Sequence, residues 1–124
     1  VGYKGKIKRE RDFTYPQDNI MRGSGGGKAY IQFINNELLP YVKNELNITS
    51  TEKTFLGHSL GGYLGIYLLL QQEFPNPFEN IIAVSPSLFW HDAYIFDLEN
   101  AYAKAHNDLN VNLYMSVGDL EGVT

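Results

Sequence analysis

Gly57-His58-Ser59-Leu60-Gly61 sets a hydroxyl between two glycines, each two residues away, directly after the apolar run Thr54-Phe55-Leu56. A serine hydroxyl becomes a useful nucleophile only when a base takes its proton and donors hold the oxyanion that forms. Thr54 to Leu56 read as a strand buried on both faces, and Tyr63 to Leu70 as an apolar run of helical length. A tight turn between strand and helix strains the serine backbone and lifts its hydroxyl clear of the sheet. Small residues at 57 and 61 then keep a Cβ from colliding with neighbouring backbone. The helix behind Ser59 contributes a partial positive charge and unpaired N–H groups where an oxyanion would sit. A plain glycine-rich turn with a serine N-cap would show the same spacing.

The base and its orienting acid are the next requirement. Glu121 or Asp119 stands just past the last strand of the chain, and either carboxylate could instead cap a loop. Three histidines are available. His58 adjoins the serine, so its ring should point away from the hydroxyl. His91 follows Trp90 in a loop that could line the pocket. His106 ends a helix, where a cation meets the negative pole of the dipole. No histidine follows Glu121 within the 124 residues.

The elements that would position these groups alternate in type. Tyr30, Phe33, Ile34, Leu38, Tyr41 and Val42 recur at helical spacing between Lys28 and Glu45, with a kink expected at Pro40. Ile81 to Ser85 form a second buried strand, leading into Pro86-Ser87-Leu88-Phe89-Trp90-His91. Residues 93–106 pattern as an amphipathic helix with Tyr94, Leu98, Ala101, Tyr102 and Ala105 on one face. Val111 to Val117 form a third strand, ending in Gly118-Asp119-Leu120-Glu121. Strand and helix in alternation predict a parallel, doubly wound α/β sheet that binds ligands at the carboxyl ends of its strands. Ser59, the loop from Ser85 to His91 and the loop from Gly118 to Glu121 all fall at that edge.

Composition narrows the classes. Ten basic against fourteen acidic residues give a net charge of −4, with no general attraction to nucleic acid or to an anionic membrane. The absence of cysteine excludes disulfides and thiolate catalysis, and fits the cytoplasm and the periplasm equally. No apolar run is long enough to span a bilayer, and no His/Asp/Glu cluster has metal-ligand spacing. Lys4, Lys6, Lys8, Arg9 and Arg11 form a basic cluster that reads as solvated surface, with a phosphate-binding patch as the alternative. Gly23-Ser24-Gly25-Gly26-Gly27-Lys28 is no Walker A loop, since Arg22 and Ala29 stand where that motif needs glycine and Ser or Thr. It reads as a flexible loop entering a helix. Asn47-Ile48-Thr49 is a glycosylation sequon, relevant only to secretion by a eukaryote.

Several stretches together resemble one family. They are Arg9-Glu10-Arg11-Asp12-Phe13-Thr14, Gly25-Gly26-Gly27 leading to Glu37-Leu38-Leu39-Pro40-Tyr41, and Gly57-His58-Ser59-Leu60-Gly61-Gly62. Ser85-Pro86-Ser87-Leu88-Phe89-Trp90 and Val117-Gly118-Asp119-Leu120-Glu121 continue the series in the same order. The chain thus resembles the Putative esterase family of α/β-hydrolases, nearer its siderophore-esterase branch than its esterase D branch. Feruloyl and acetylxylan esterases belong to the same family.

The resemblance implies a three-layer α/β/α fold and a serine esterase that works through an acyl-enzyme, with no cofactor or metal. It implies Ser59 as nucleophile, the Leu60 N–H as an oxyanion donor and Glu121 as the acid. His58, Phe89 and Trp90 would line the substrate, with the two aromatics stacking on it or anchoring the core. The substrate would be a siderophore, a sugar ester or a similar polar ester, met at an open site. It also implies that residues 1–124 are a central portion of the domain. Further strands and the second oxyanion loop would precede Val1, and a last strand bearing the catalytic histidine would follow Thr124. The alternatives on this scaffold are an inactive domain that binds a carbohydrate or a protein, and an acyltransferase.

Overall fold

The computed structural model describes residues 4–121. The resemblance also implies a strand ending near Tyr3, and that segment lies outside the described residues. In chain order the elements are α1 (Arg9–Asp12), α2 (Gly27–Phe33), a π-helical turn (Ile34–Leu38), α3 (Leu39–Asn44), β1 (Thr54–His58) and α4 (Leu60–Leu70). There follow β2 (Asn80–Val84), the single turn α5 (Trp90–Ala93), α6 (Ile95–Ala105) and β3 (Asn112–Ser116).

The three strands form one parallel sheet in the order β1-β2-β3, as alternation of strands and helices predicts. Phe55 pairs with Ile81 and Ile81 with Leu113, while His58, Val84 and Ser116 align at the carboxyl edge. Helix α4 lies on the face that carries Phe55, Ile81 and Ala83. Gly65 brings it within contact of the sheet, for a Cβ there would meet the Phe55 ring at 3.0 Å and Ile81 Cγ2 at 3.2 Å.

Tyr63, Leu64, Ile66, Tyr67, Leu68 and Leu70 join Ile31 of α2, Ala83, Trp90 and Ile95 of α6 in one core. Helix α4 is apolar on every side because it has neighbours on every side: the sheet, α1, α2 and α6. Each buried aliphatic or aromatic side chain here contributes roughly 1.5–3 kcal/mol. The phenol of Tyr63 satisfies its one donor by bonding Tyr15 O at 2.6 Å.

Four expectations change. Leu56 of β1 is 67% exposed and Tyr114 of β3, in the same row on the far side of Ile82, is 63% exposed, so the strand of Thr54 to Leu56 is buried on one face only. Among the described residues nothing covers the second face. Pro40 does not merely kink the second helical segment near its end. The ring lacks an N–H and crowds the preceding turn, and the ladder there widens into the π turn at Ile34–Leu38 before regular helix resumes. In α6 the inward line is Ile95, Leu98 and Tyr102, whereas Ala101 and Ala105 are exposed.

The fourth change concerns the glycine-rich loop, which is tied down rather than flexible. Gly25 N–H donates to Thr14 Oγ1 at 2.9 Å, Gly26 N–H to Arg11 O at 2.7 Å and Gly27 N–H to Thr14 O at 2.8 Å. Gly25 has φ +93°, and a Cβ there would lie 2.7 Å from Gln17 backbone, so close approach of two chain segments explains the glycine.

Candidate functional site

Ser59 has φ 57° and ψ −117°, between the end of β1 and the first turn of α4. That conformation is unfavourable for any residue with a Cβ and persists only where its surroundings impose it. Here they do. Ser59 N–H donates to Val84 O at 3.0 Å, and Ser59 O accepts from Tyr63 N–H at 2.9 Å and from Ser87 N–H at 3.2 Å. A Cβ on Gly57 would overlap the Gly61 carbonyl, so the turn closes only with glycine at 57. Gly61 differs from the expectation: a Cβ there would meet no atom of the described residues within 4 Å. The tight packing falls instead on Gly62, where a Cβ would lie 3.1 Å from Pro86 Cα.

The Ser59 hydroxyl is half-buried and stands 3.2 Å from Ser87 Oγ. Leu60 heads α4, so its N–H is one of the first-turn donors that no intrahelical carbonyl can reach. An anion at Ser59 would meet that donor and the positive end of an 11-residue helix.

On the other side of β2, Glu121 reaches the sheet. Its Oε1 accepts from Ser85 Oγ at 2.6 Å, and its N–H closes a turn on Gly118 O at 3.0 Å. Ser85 itself has φ 44° and donates its N–H to Ser116 O at 2.7 Å. Asp119 is solvent-exposed. The loop after the central strand thus carries two serines, Ser87 turned to Ser59 and Ser85 to Glu121. Reading by residue type passed over both Ser85 and Ser87. The available signal was two hydroxyls flanking Pro86 at the carboxyl end of a buried strand.

Among the described residues none of the three histidines bonds the Ser59 hydroxyl, whose side-chain partner is Ser87. His58 is exposed at the end of β1. His91 has φ 47° and puts Nδ1 3.9 Å from Asp18 Oδ2. His106 follows α6, its ring stacked on Tyr102 at 4.2 Å between centroids.

Phe89 and Trp90, side by side in sequence, part company. Phe89 is 77% exposed beside the serine loop. Trp90 is only 5% exposed, belongs to the core, and donates its indole N–H to Pro16 O at 2.9 Å. Of the two roles open to Trp90, the structure gives the anchor and not a stacking surface.

A hollow of about 500 Å³ lies between α4, α6 and β3, walled by Ile66, Leu70, Ile95, Tyr102, Leu113 and Met115. None of Ser59, Ser85, Ser87 or Glu121 lines it, although Leu88, the residue after Ser87, does. Among the described residues no group of three or more His, Asp or Glu could hold a metal ion, and no helix is long and apolar enough to cross a membrane.

Known proteins are similar to most of this chain. The ferri-bacillibactin esterase BesA of Bacillus subtilis is 30% identical over 125 residues, covering 91% of this chain and 43% of BesA. The siderophore triacetylfusarinine C esterase of Aspergillus fumigatus is 30% identical over 131 residues, covering 98% of this chain and 44% of that enzyme. The chain therefore spans less than half the length of these relatives. Among solved structures, the siderophore hydrolase EstB of Aspergillus nidulans superposes with a TM-score of 0.77 at 30% identity, over 91% of this chain and 39% of EstB. The family described as "Putative esterase" matches residues 1–123. With a match of that extent, and a strained serine at the strand–helix turn, the chain belongs to the esterase family of α/β-hydrolases.

Proposed function

We propose that the whole protein is a serine carboxylic-ester hydrolase acting through an acyl-enzyme on polar, siderophore-type esters. The observation that carries this reading is the conformation of Ser59: a strained nucleophile-type residue held at the head of α4, on the rim that Glu121 also reaches. Ser59 Oγ attacks the ester carbonyl, and the Leu60 N–H donates to the oxyanion as charge develops there. A histidine takes the serine proton and returns it to the departing alcohol, and Glu121 orients that histidine and stabilises its cationic form. Water then attacks the acyl carbon and regenerates Ser59. Among the described residues His58, His91 and His106 make no bond to the hydroxyl, so we assign the base to another part of the protein.

We also propose that residues 1–124 are part of a larger esterase domain, which the length of the relatives supports. The names of BesA and the fusarinine enzyme support a siderophore ester as substrate, and exposed Phe89 is suited to packing on an aromatic or apolar part of it. The test is hydrolysis of ferri-bacillibactin and p-nitrophenyl acetate by the whole protein and by Ser59→Ala. The variant should lose on the order of 10³-fold or more in kcat while staying folded. Undiminished hydrolysis by Ser59→Ala would overturn the assignment.

A further inference from the structure

We infer that Ser85 is a positioning residue for the reaction, fixing the Glu121 carboxylate, and that Ser85-Pro86-Ser87 ties the acid to the nucleophile as one rigid bridge. This rests on the reading of Glu121 as the acid. Glu121 stands on an exposed turn after β3, with three side-chain torsions to restrain. A carboxylate so placed would sample many rotamers, and a triad acid has to present one oxygen to an imidazole in one direction. The 2.6 Å bond from Ser85 Oγ occupies Oε1 and leaves Oε2 to accept from the histidine. Gly118 leaves the room this needs, since a Cβ there would lie 2.7 Å from Oε1.

The donor is itself firmly held. Ser85 directly follows the central strand, bonds Ser116 O through its N–H, keeps φ at 44°, and turns its hydroxyl to Glu121 past β3. Two residues on, buried Ser87 faces the other way: its N–H bonds Ser59 O and its Oγ lies 3.2 Å from Ser59 Oγ. Pro86 between them packs on Gly62 in the first turn of α4. Acid and nucleophile, on strands that do not touch each other, are thereby referred to the same three residues of β2's end. A positive φ is a cost for serine that glycine would avoid. A hydroxyl needed at that place accounts for serine standing there.

The test compares kcat and KM for p-nitrophenyl acetate in the whole protein, its Ser85→Gly and Ser85→Ala variants, Glu121→Ala, and the Ser85→Gly/Glu121→Ala double variant. Glycine relieves the backbone and alanine keeps the chain stiff, so the two variants share only the lost hydroxyl. Both should lose about 10-fold in kcat with KM changed by less than about 2-fold, because a hydrogen bond to a charged group is removed and no ground-state contact is. The melting temperature of Ser85→Gly should not fall. In the Glu121→Ala background the same Ser85→Gly change should cost less than about 2-fold, since the two residues act as a unit. A full 10-fold loss in that background, or undiminished kcat in both single variants, would overturn the role of Ser85. Should Glu121→Ala itself retain full kcat, the acid assignment falls and this inference with it.

Discussion

Gly57 lies with its Cα against the carbonyl of Gly61, so close that a Cβ at 57 would overlap the oxygen, while a Cβ at 61 would meet nothing. The two glycines of the motif are therefore unequal. Gly57→Ala should cost about 1–3 kcal/mol or prevent folding, as overpacking against backbone does. Gly61→Ala should fold normally and gain up to about 1 kcal/mol from helix propensity. Urea unfolding of the two variants checks the contrast, and equal losses would contradict it.

Ser59 is held at φ 57° and ψ −117°, a conformation costing roughly 1–3 kcal/mol for a residue with a Cβ. Ser59→Gly should relieve most of it. The expected outcome is a variant without esterase activity whose unfolding free energy rises by about 1 kcal/mol. A Ser59→Gly protein less stable than the parent would show that the strain is not there.

Trp90 and Phe89 should respond in opposite ways. Trp90→Phe removes the donor to Pro16 O and a core volume, and should cost about 1–3 kcal/mol of stability. Phe89→Ala, at an exposed position, should change stability by less than about 0.5 kcal/mol and act on KM instead. Thermal melts and steady-state kinetics on the same two proteins separate the roles.

Burial raises the phenol pKa of Tyr63 and of Tyr67 well above the ordinary 10.0. Unfolding would free both phenols to ionise near that ordinary value, while the folded protein keeps them neutral. Their contribution to stability is thus complete below about pH 10 and is lost as pH rises beyond it. Tyr67→Phe should flatten this alkaline loss in denaturant titrations between about pH 8 and pH 11. An identical slope in parent and variant would rule the linkage out.

Much of this arrangement can be read from residue types, and the exceptions have physical causes. Thr54 to Leu70 reveals strand, turn and helix because an apolar run changes period across two glycines. The parallel order follows from alternation alone. The exposure of Leu56 is not legible, since an apolar strand residue looks the same whether or not a neighbour covers it. The π turn before Pro40 is a response of the whole ladder to one missing donor, and residue spacing does not say where that response falls. Trp90 and Phe89 are interchangeable by type, and only the turn at Trp90–Ala93, with His91 and Asp92 at positive φ, sends one inward. Glu121 is visible as a carboxylate past a strand, but its bond to Ser85 depends on two strands lying side by side. Contacts between distant segments are the part that local pattern leaves out.

Covalent labelling of the whole protein with a fluorophosphonate, followed by peptide mapping, tests the nucleophile most directly. The phosphonyl adduct should appear on Ser59, and on neither Ser85 nor Ser87, and should vanish in Ser59→Ala. A folded protein that takes no label, or takes it on another serine, would contradict the account.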